Sequence, residues 1–369
     1  MSEPIVVTVL VENSVRGRGL MAEHGLAFHV QAGSDSLLFD TGQSALVVEN
    51  ARQLGVDLSR LRAVALSHGH YDHAGGLRAV RELAPHAHLY AHPAALVPRF
   101  ARSSDGTTRA IGIGEPGLEA IRVHSPPLQG TPAATEVLRD FFLTGEIPRE
   151  TDFEDVGGPF VLDEAGLRPD PIVDDQALFF DTREGVVVLL GCAHAGLVNT
   201  LRRVRQLTRD RPIHAVLGGM HLLEASPERM ARTVDALRRF GQPRLGPAHC
   251  TGAAATARLW HEFPQACLVC SVGSSFVFHR RDVAFELNPP VQPAARAPRP
   301  ISRMDRALAS VCRNCPVCRR ARQRPSGLAF RLVNQVERHL CPFCRAYERV
   351  YGRKAHEGKP KGREESAAD

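Results

Sequence analysis

The sequence predicts a mixed α/β layered domain followed by a small cysteine-rich module. Two observations predict it. Short apolar runs alternate with helical periodicity through the first 290 residues, and five of the nine cysteines crowd into residues 312–344 behind a proline-rich break. Taken in order, residues 5–11, 36–39, 63–66, 87–90, 186–190 and 214–217 read as strands. Residues 44–54, 76–83, 198–207 and 227–240 carry apolar side chains at helical spacing. Residues 100–154 are rich in Gly, Pro and Thr, with little periodicity beyond 135–142, and read as a loop-rich insertion near the active site. An apolar strand over 276–285 closes the first domain, residues 1–290. Five prolines between Asn288 and Pro300 mark a linker centred on 291–300. The module then spans 301–355, and the charged stretch 356–369 reads as a disordered tail.

The net charge of +6 is unevenly spread. Residues 1–290 hold 28 Lys and Arg against 33 Asp and Glu, whereas residues 291–369 hold 18 against 7. The N-terminus enters its first strand without a basic leader or cleavage site, which predicts a cytoplasmic location. No run approaches the roughly 18 apolar residues of a membrane span. No oligomeric state follows from these patterns.

The strand at 63–66 ends in Ser67-His68-Gly69-His70-Tyr71-Asp72-His73-Ala74-Gly75-Gly76. Four ligand-type side chains leave one strand end together, so His68 and His70 can face one ion while Asp72 and His73 turn to a second. Imidazole and carboxylate suit two divalent ions, zinc first, with iron or manganese as alternatives. His221 follows a strand and two glycines, and reads either as an acid, base or substrate contact in the pocket or as a loop histidine. Arg149 reads as a contact for an anionic substrate group or as a solvated surface residue.

The His-x-His-x-Asp-His cluster resembles the signature of the metallo-β-lactamase superfamily, over about residues 4–286. That resemblance implies a four-layer αβ/βα sandwich. It also implies that Asp40, in Leu37-Leu38-Phe39-Asp40-Thr41-Gly42, supports the metal site from behind the ligands. His194, in Gly191-Cys192-Ala193-His194-Ala195-Gly196, and His249, in Gly246-Pro247-Ala248-His249-Cys250-Thr251-Gly252, take the places of later ligands. Many members carry a bridging Asp after the glycine where this chain has Cys192, which leaves the bridge open between a thiolate and a packed, inert cysteine. The runs Thr144 to Arg149, Asp174-Asp175-Gln176 and Gly218 to Leu222 are similar to the branch that includes dihydropterin-ribofuranosylaminobenzene phosphate synthase.

The implied activity is metal-dependent hydrolysis of a small substrate, phosphorylated or pterin-like, by an activated water that Asp72 helps to orient, or a related pterin-type synthesis. Two other readings stand beside it: a nuclease or phosphodiesterase with a basic nucleic-acid-binding tail, and a non-catalytic binding or redox module. In the C-terminal module, Cys312, Cys315 and Cys318 face Cys341 and Cys344 across a sequence gap, reading as two Cys-Pro-x-Cys knuckles around one structural zinc, with an iron–sulfur cluster as the alternative. Leu328, Val333, Val336 and Leu340 predict a helix between them. Cys267 and Cys270 read as core residues.

Overall fold

Residues 186–190 are Val-Val-Val-Leu-Leu, apolar at every position, which suits a strand covered on both faces rather than one. The computed structural model, which describes residues 3–123, 125–281, 287, 303–323, 333 and 341–351, has that strand at the centre of a sheet. Its Val187 and Leu189 face one apolar cluster and its Val186, Val188 and Leu190 another.

Among the described residues one sheet holds seven strands. They are β1 (Ile5–Val11), β2 (Ala27–Ala32), β3 (Asp35–Phe39), β4 (Ala63–Ala65), β5 (His88–Ala91), β8 (Gln129–Gly130) and β16 (Ser275–Phe278), in the order β16-β1-β2-β3-β4-β5-β8. A second sheet is built from β9 (Thr135–Leu138), β10 (Phe141–Leu143), β12 (Leu178–Asp181), β13 (Val186–Leu190), β14 (Ile213–Gly219) and β15 (Arg244–Ala248). Its order is β15-β14-β13-β12-β10-β9. A small third sheet joins β6 (Phe100–Arg102), β7 (Thr108–Ala110) and β11 (Phe160–Val161).

The two large sheets share a core of residues such as Val7, Phe28, Phe39, Phe141, Phe180 and Leu217. Helices cover the outer faces. On the first sheet α1 (Leu46–Gln53), α3 (Leu77–Leu83) and α4 (Glu115–Val123) close a cluster with Val47, Leu77, Val80 and Leu118. On the second, α5 (Leu197–Leu207), α6 (Pro227–Arg239) and α7 (Ala253–Glu262) contribute Leu201, Val204, Leu237 and Leu259. This is the four-layer α/β sandwich expected. Cys267 and Cys270 lie in these cores.

Two local expectations are corrected. The segment 100–154 is loop-rich and reaches the cleft with Ala101, Arg109 and Ile111, but it is more than an insertion: it supplies β8 and β9, edge strands of the two large sheets, β10 beside β9, and the helix α4. Its strands are two to four residues long, too short to show a period. The closing strand β16 is described only to Phe278, and residues 282–286 lie outside the described residues. So do His124, Leu328, Phe330, Val336 and Leu340, the linker 291–300 and the tail 356–369.

The chain folds as two units, 1–290 and 291–369. In the second, α8 (Arg303–Asn314), α9 (Pro316–Gln323) and α10 (Pro342–Tyr351) carry the cysteines, so the predicted tight knuckles are helix starts instead. Pro316 and Pro342 open their helices, where a missing N–H costs nothing. The carbonyls of Cys315 and Cys341 accept the first helical bonds, from Arg319 and Arg345.

Candidate metal centre

The parallel strands β3, β4, β13, β14 and β15 end at one edge, and the chemistry-bearing side chains leave from those ends. That is where open α/β sheets place ligands. His68 and His70 follow β4, and the short helix α2 (Tyr71–Ala74) turns Asp72 and His73 inward. Gly69 passes so close to the neighbouring loop that a Cβ there would sit 2.1 Å from the Ala95 carbonyl oxygen. His194 follows β13, His221 follows β14 and His249 follows β15. Asp40, Ala193, His221 and His249 all hold positive φ, between 47° and 61°, a conformation that costs energy in non-glycine residues and clusters at functional sites.

Four of the histidines are oriented from behind. The His73 Nδ1–H donates to Asp40 Oδ2 at 2.7 Å, leaving Nε2 to face the cleft 3.2 Å from Cys192 Sγ and 3.3 Å from His249 Nε2. Ser67 Oγ donates to Asp40 at 2.7 Å and accepts from His68 Nδ1 at 2.9 Å, so His68 Nε2 also points inward. His194 Nδ1 donates to the Val156 carbonyl at 2.8 Å, and His249 Nδ1 to Asn13 Oδ1 at 3.0 Å. His68 Nε2 and His70 Nδ1 stand 2.9 Å apart, while His194 Nε2 is buried with no hydrogen-bond partner. Lone pairs converging in this way fit a cation, and the pattern of a ring N–H held by a carboxylate or carbonyl is the one metal-binding imidazoles use.

The structure thus brings together His68, His70, Asp72, His73, His194 and His249, all buried, with Asp40 behind them. Cys192 stands between the two halves: its thiol groups with His68 and His194 on one side and with His73 and His249 on the other, each set within 4.8 Å. His24, which carries no motif, reaches Asp72 Oδ2 at 3.1 Å. Cys250 groups with Cys192 and His221. Only the position of Cys192 beside a glycine at a strand end signalled any of these three in the sequence.

Charge is unevenly arranged across the centre. Burial holds His68 and His194 well below the ordinary imidazole range and takes His70 to about 3, so these three stay neutral and able to donate lone pairs. Burial opposes charge on His73 too, but Asp40 and Asp72 outweigh it and raise the group to about 9. Burial likewise opposes charge on Asp72, and His73, with hydrogen bonds from His24 and His249, keeps its carboxyl ionised.

The Asp174-Asp175-Gln176 run fastens the ligand loops. Asp174 accepts from Gly69 N at 2.8 Å and pairs with buried Arg99, which also meets Asp170 at 3.1 Å. Gln176 donates to the Leu66 carbonyl at 2.9 Å, and Asp175 accepts from Ala195 N at 2.7 Å. Arg149 is tied into this scaffold. Its guanidinium donates to the His194 and Pro171 carbonyls at 2.7 and 2.6 Å.

The cleft over the centre has a volume of about 670 Å³, and Tyr71, Arg109, Phe160, His221 and Leu223 are on its walls. Phe160 of the small sheet packs 5.4 Å from the His70 ring and 5.3 Å from the His194 ring. His221 Nε2 donates to the Gly157 carbonyl at 3.1 Å, which holds the ring at the cleft edge.

The sequence profile of the metallo-β-lactamase superfamily matches residues 22–201. A 7,8-dihydropterin-6-methyl-4-(β-D-ribofuranosyl)-aminobenzene-5'-phosphate synthase of Methanocaldococcus jannaschii is 28% identical over 261 residues, 66% of this chain and 86% of its own length. An uncharacterised protein of the same archaeon is also 28% identical, over 69% of this chain and 93% of its own. Among solved structures, Tm1679, described as a metal-dependent hydrolase of the β-lactamase superfamily, superposes with a TM-score of 0.63 at 30% identity, covering 76% of this chain and 99% of that one. Fold, motif order and these likenesses agree: the chain belongs to the metallo-β-lactamase superfamily.

Proposed function

We propose that the cleft is a dinuclear metal-dependent hydrolase centre acting on a small anionic substrate, phosphorylated or pterin-like. His68, His70 and His194 would hold one ion, and Asp72, His73 and His249 the other, with the Cys192 thiol within reach of both sets. The observation that carries this reading is the inward convergence of ligand nitrogens from three strand ends, with His68, His73, His194 and His249 each held by a hydrogen bond on the far side of its ring. Bound divalent ions, zinc by the chemistry of this donor set, supply Lewis acidity and acidify water toward neutral pH.

The protein's own groups do the rest. Asp40 and Ser67 keep the His68 and His73 lone pairs aimed at the centre. Asp72, fixed by His24 and His249, keeps its charge and would orient an attacking water. His221, on the cleft wall with Nε2 held by the Gly157 carbonyl, would contact the substrate. Arg109, over the Tyr71 ring at 5.4 Å, offers a cation to an anionic substrate. A cleft of about 670 Å³ is in the range of small-molecule sites, which favours a small substrate over nucleic acid.

The similarity to the pterin-ribofuranosyl synthase supports a pterin-like ligand, with group transfer in place of hydrolysis as the second outcome. The test is to load the full-length chain with zinc, iron or manganese and assay phosphate mono- and diesters alongside formation of the pterin product in that relative's name. Turnover of an ester that disappears in His68→Ala supports hydrolysis, and turnover confined to the pterin product supports the synthase. Failure to bind two ions per cleft under any metal sinks both.

A further inference from the structure

The second unit gathers thiols of its own. Cys344 Sγ on α10 lies 3.8 Å from Cys312 Sγ on α8 and 3.6 Å from Cys318 Sγ on α9. All three are buried. Cys315 and Cys341, half-buried at the starts of α9 and α10, adjoin Cys318 and Cys344 respectively. The sulfurs stand well beyond the roughly 2.05 Å of a disulfide. A tetrahedral zinc with bonds of about 2.3 Å sets its sulfurs about 3.8 Å apart, the spacing seen here. In an iron–sulfur cluster one iron takes at most two of the four thiolates, so three mutually close thiols fit a single ion instead.

The packing around the thiols points the same way. Besides the three cysteines, the buried residues described in this unit are Ala309, Ala321, Val333, Ala346 and Tyr347. With Leu308, Val317 and Val350 partly buried around them, these described residues form a small apolar cluster in which alanine predominates. The centre of the core is the thiol cluster itself.

We propose that Cys312, Cys318 and Cys344, with a fourth thiolate from the helix start at Cys315 or Cys341, bind one structural zinc ion that ties α8, α9 and α10 together. This site shares no residue with the cleft. The experiment uses the full chain carrying His68→Ala and His73→Ala, so that the cleft is disabled, purified and zinc-loaded under reducing conditions. About one zinc per chain with a shell of four sulfurs near 2.3 Å by X-ray absorption is the expected result. Cys318→Ser and Cys344→Ser should each lose that zinc, while Cys315→Ser and Cys341→Ser identify the fourth ligand by which of them weakens binding. Iron with acid-labile sulfide, a zinc shell dominated by nitrogen or oxygen, or no stoichiometric metal overturns the proposal. Since the absorption measurement leaves every cysteine in place, it decides the matter even if the serine variants fail to fold.

Discussion

The histidine-lined cleft and the thiol cluster both gather metal-type ligands, but they stand in opposite relation to the apolar core. In the first unit three extensive clusters of Val, Leu, Ile and Phe hold two sheets and their helices, and the ligands sit on loops at the strand ends. There the fold makes the site. In the second unit the ligand side chains occupy the middle of the core, among alanines. There the site would make the fold. A metal bound to a pre-built cleft contributes reactivity at modest structural consequence, whereas a metal at the centre of a small core contributes folding free energy directly.

The largest effect that would sharpen this contrast is on turnover. In the metal-loaded chain, His68→Ala or Asp72→Ala should cut the rate by on the order of a thousandfold or more while the melting of the first unit barely moves. A matching collapse of the fold would break the comparison. Chelation comes next, followed by hydrogen exchange: amides of α8, α9 and α10 should lose protection while those of β13 and β14 keep it. Equal loss in both units would show that the cleft too depends on metal for its fold.

Asp40→Asn should then lower metal affinity in the cleft about 10- to 100-fold, as measured by competition with a chromogenic chelator, because it disturbs the carboxylate behind His73 without removing a ligand. Arg149→Lys should cost on the order of tenfold in kcat with KM little changed, since lysine keeps the charge but cannot fork between the His194 and Pro171 carbonyls. A rise in KM alone would return Arg149 to the substrate.

The smallest effect concerns His29 on β2, where burial lowers the imidazole to about 4. The unfolded chain takes up that proton near 6.5, the folded chain only near 4. Stability therefore falls as pH drops through this window, by on the order of 1 kcal/mol per pH unit for this group. His29→Gln should flatten that slope in urea titrations between about pH 7 and 5, and an unchanged slope would show that the ring is not held neutral.

The sheet strands and the ligand cluster are legible in the sequence because each is local. Residues 186–190 are apolar throughout, and His68 to His73 pack four ligands into six positions. What escapes a sequence reading is distributed. Arg149 resembles a free cation because nothing in the run around it reveals two carbonyls brought from residues 171 and 194. His24 is an isolated histidine in sequence and meets Asp72 only after β1 and β2 pair. The cysteine knuckles prove to be helix starts because Cys-Pro opens a helix as readily as it makes a turn, and the local sequence does not separate the two.

The clamp at Asp174, Asp175 and Gln176 has a consequence for how the protein is made. His68 to His73 are synthesised some hundred residues before the groups that hold Gly69 and Leu66, and His73 meets His249 across a separation of 176 residues. A nascent chain therefore displays four of the six ligand side chains long before the other two exist, and long-range closures of this kind come late in folding. An ion captured early by the histidine loop would be held by an incomplete set, and would stay free to exchange until both sheets have docked and translation has passed β15.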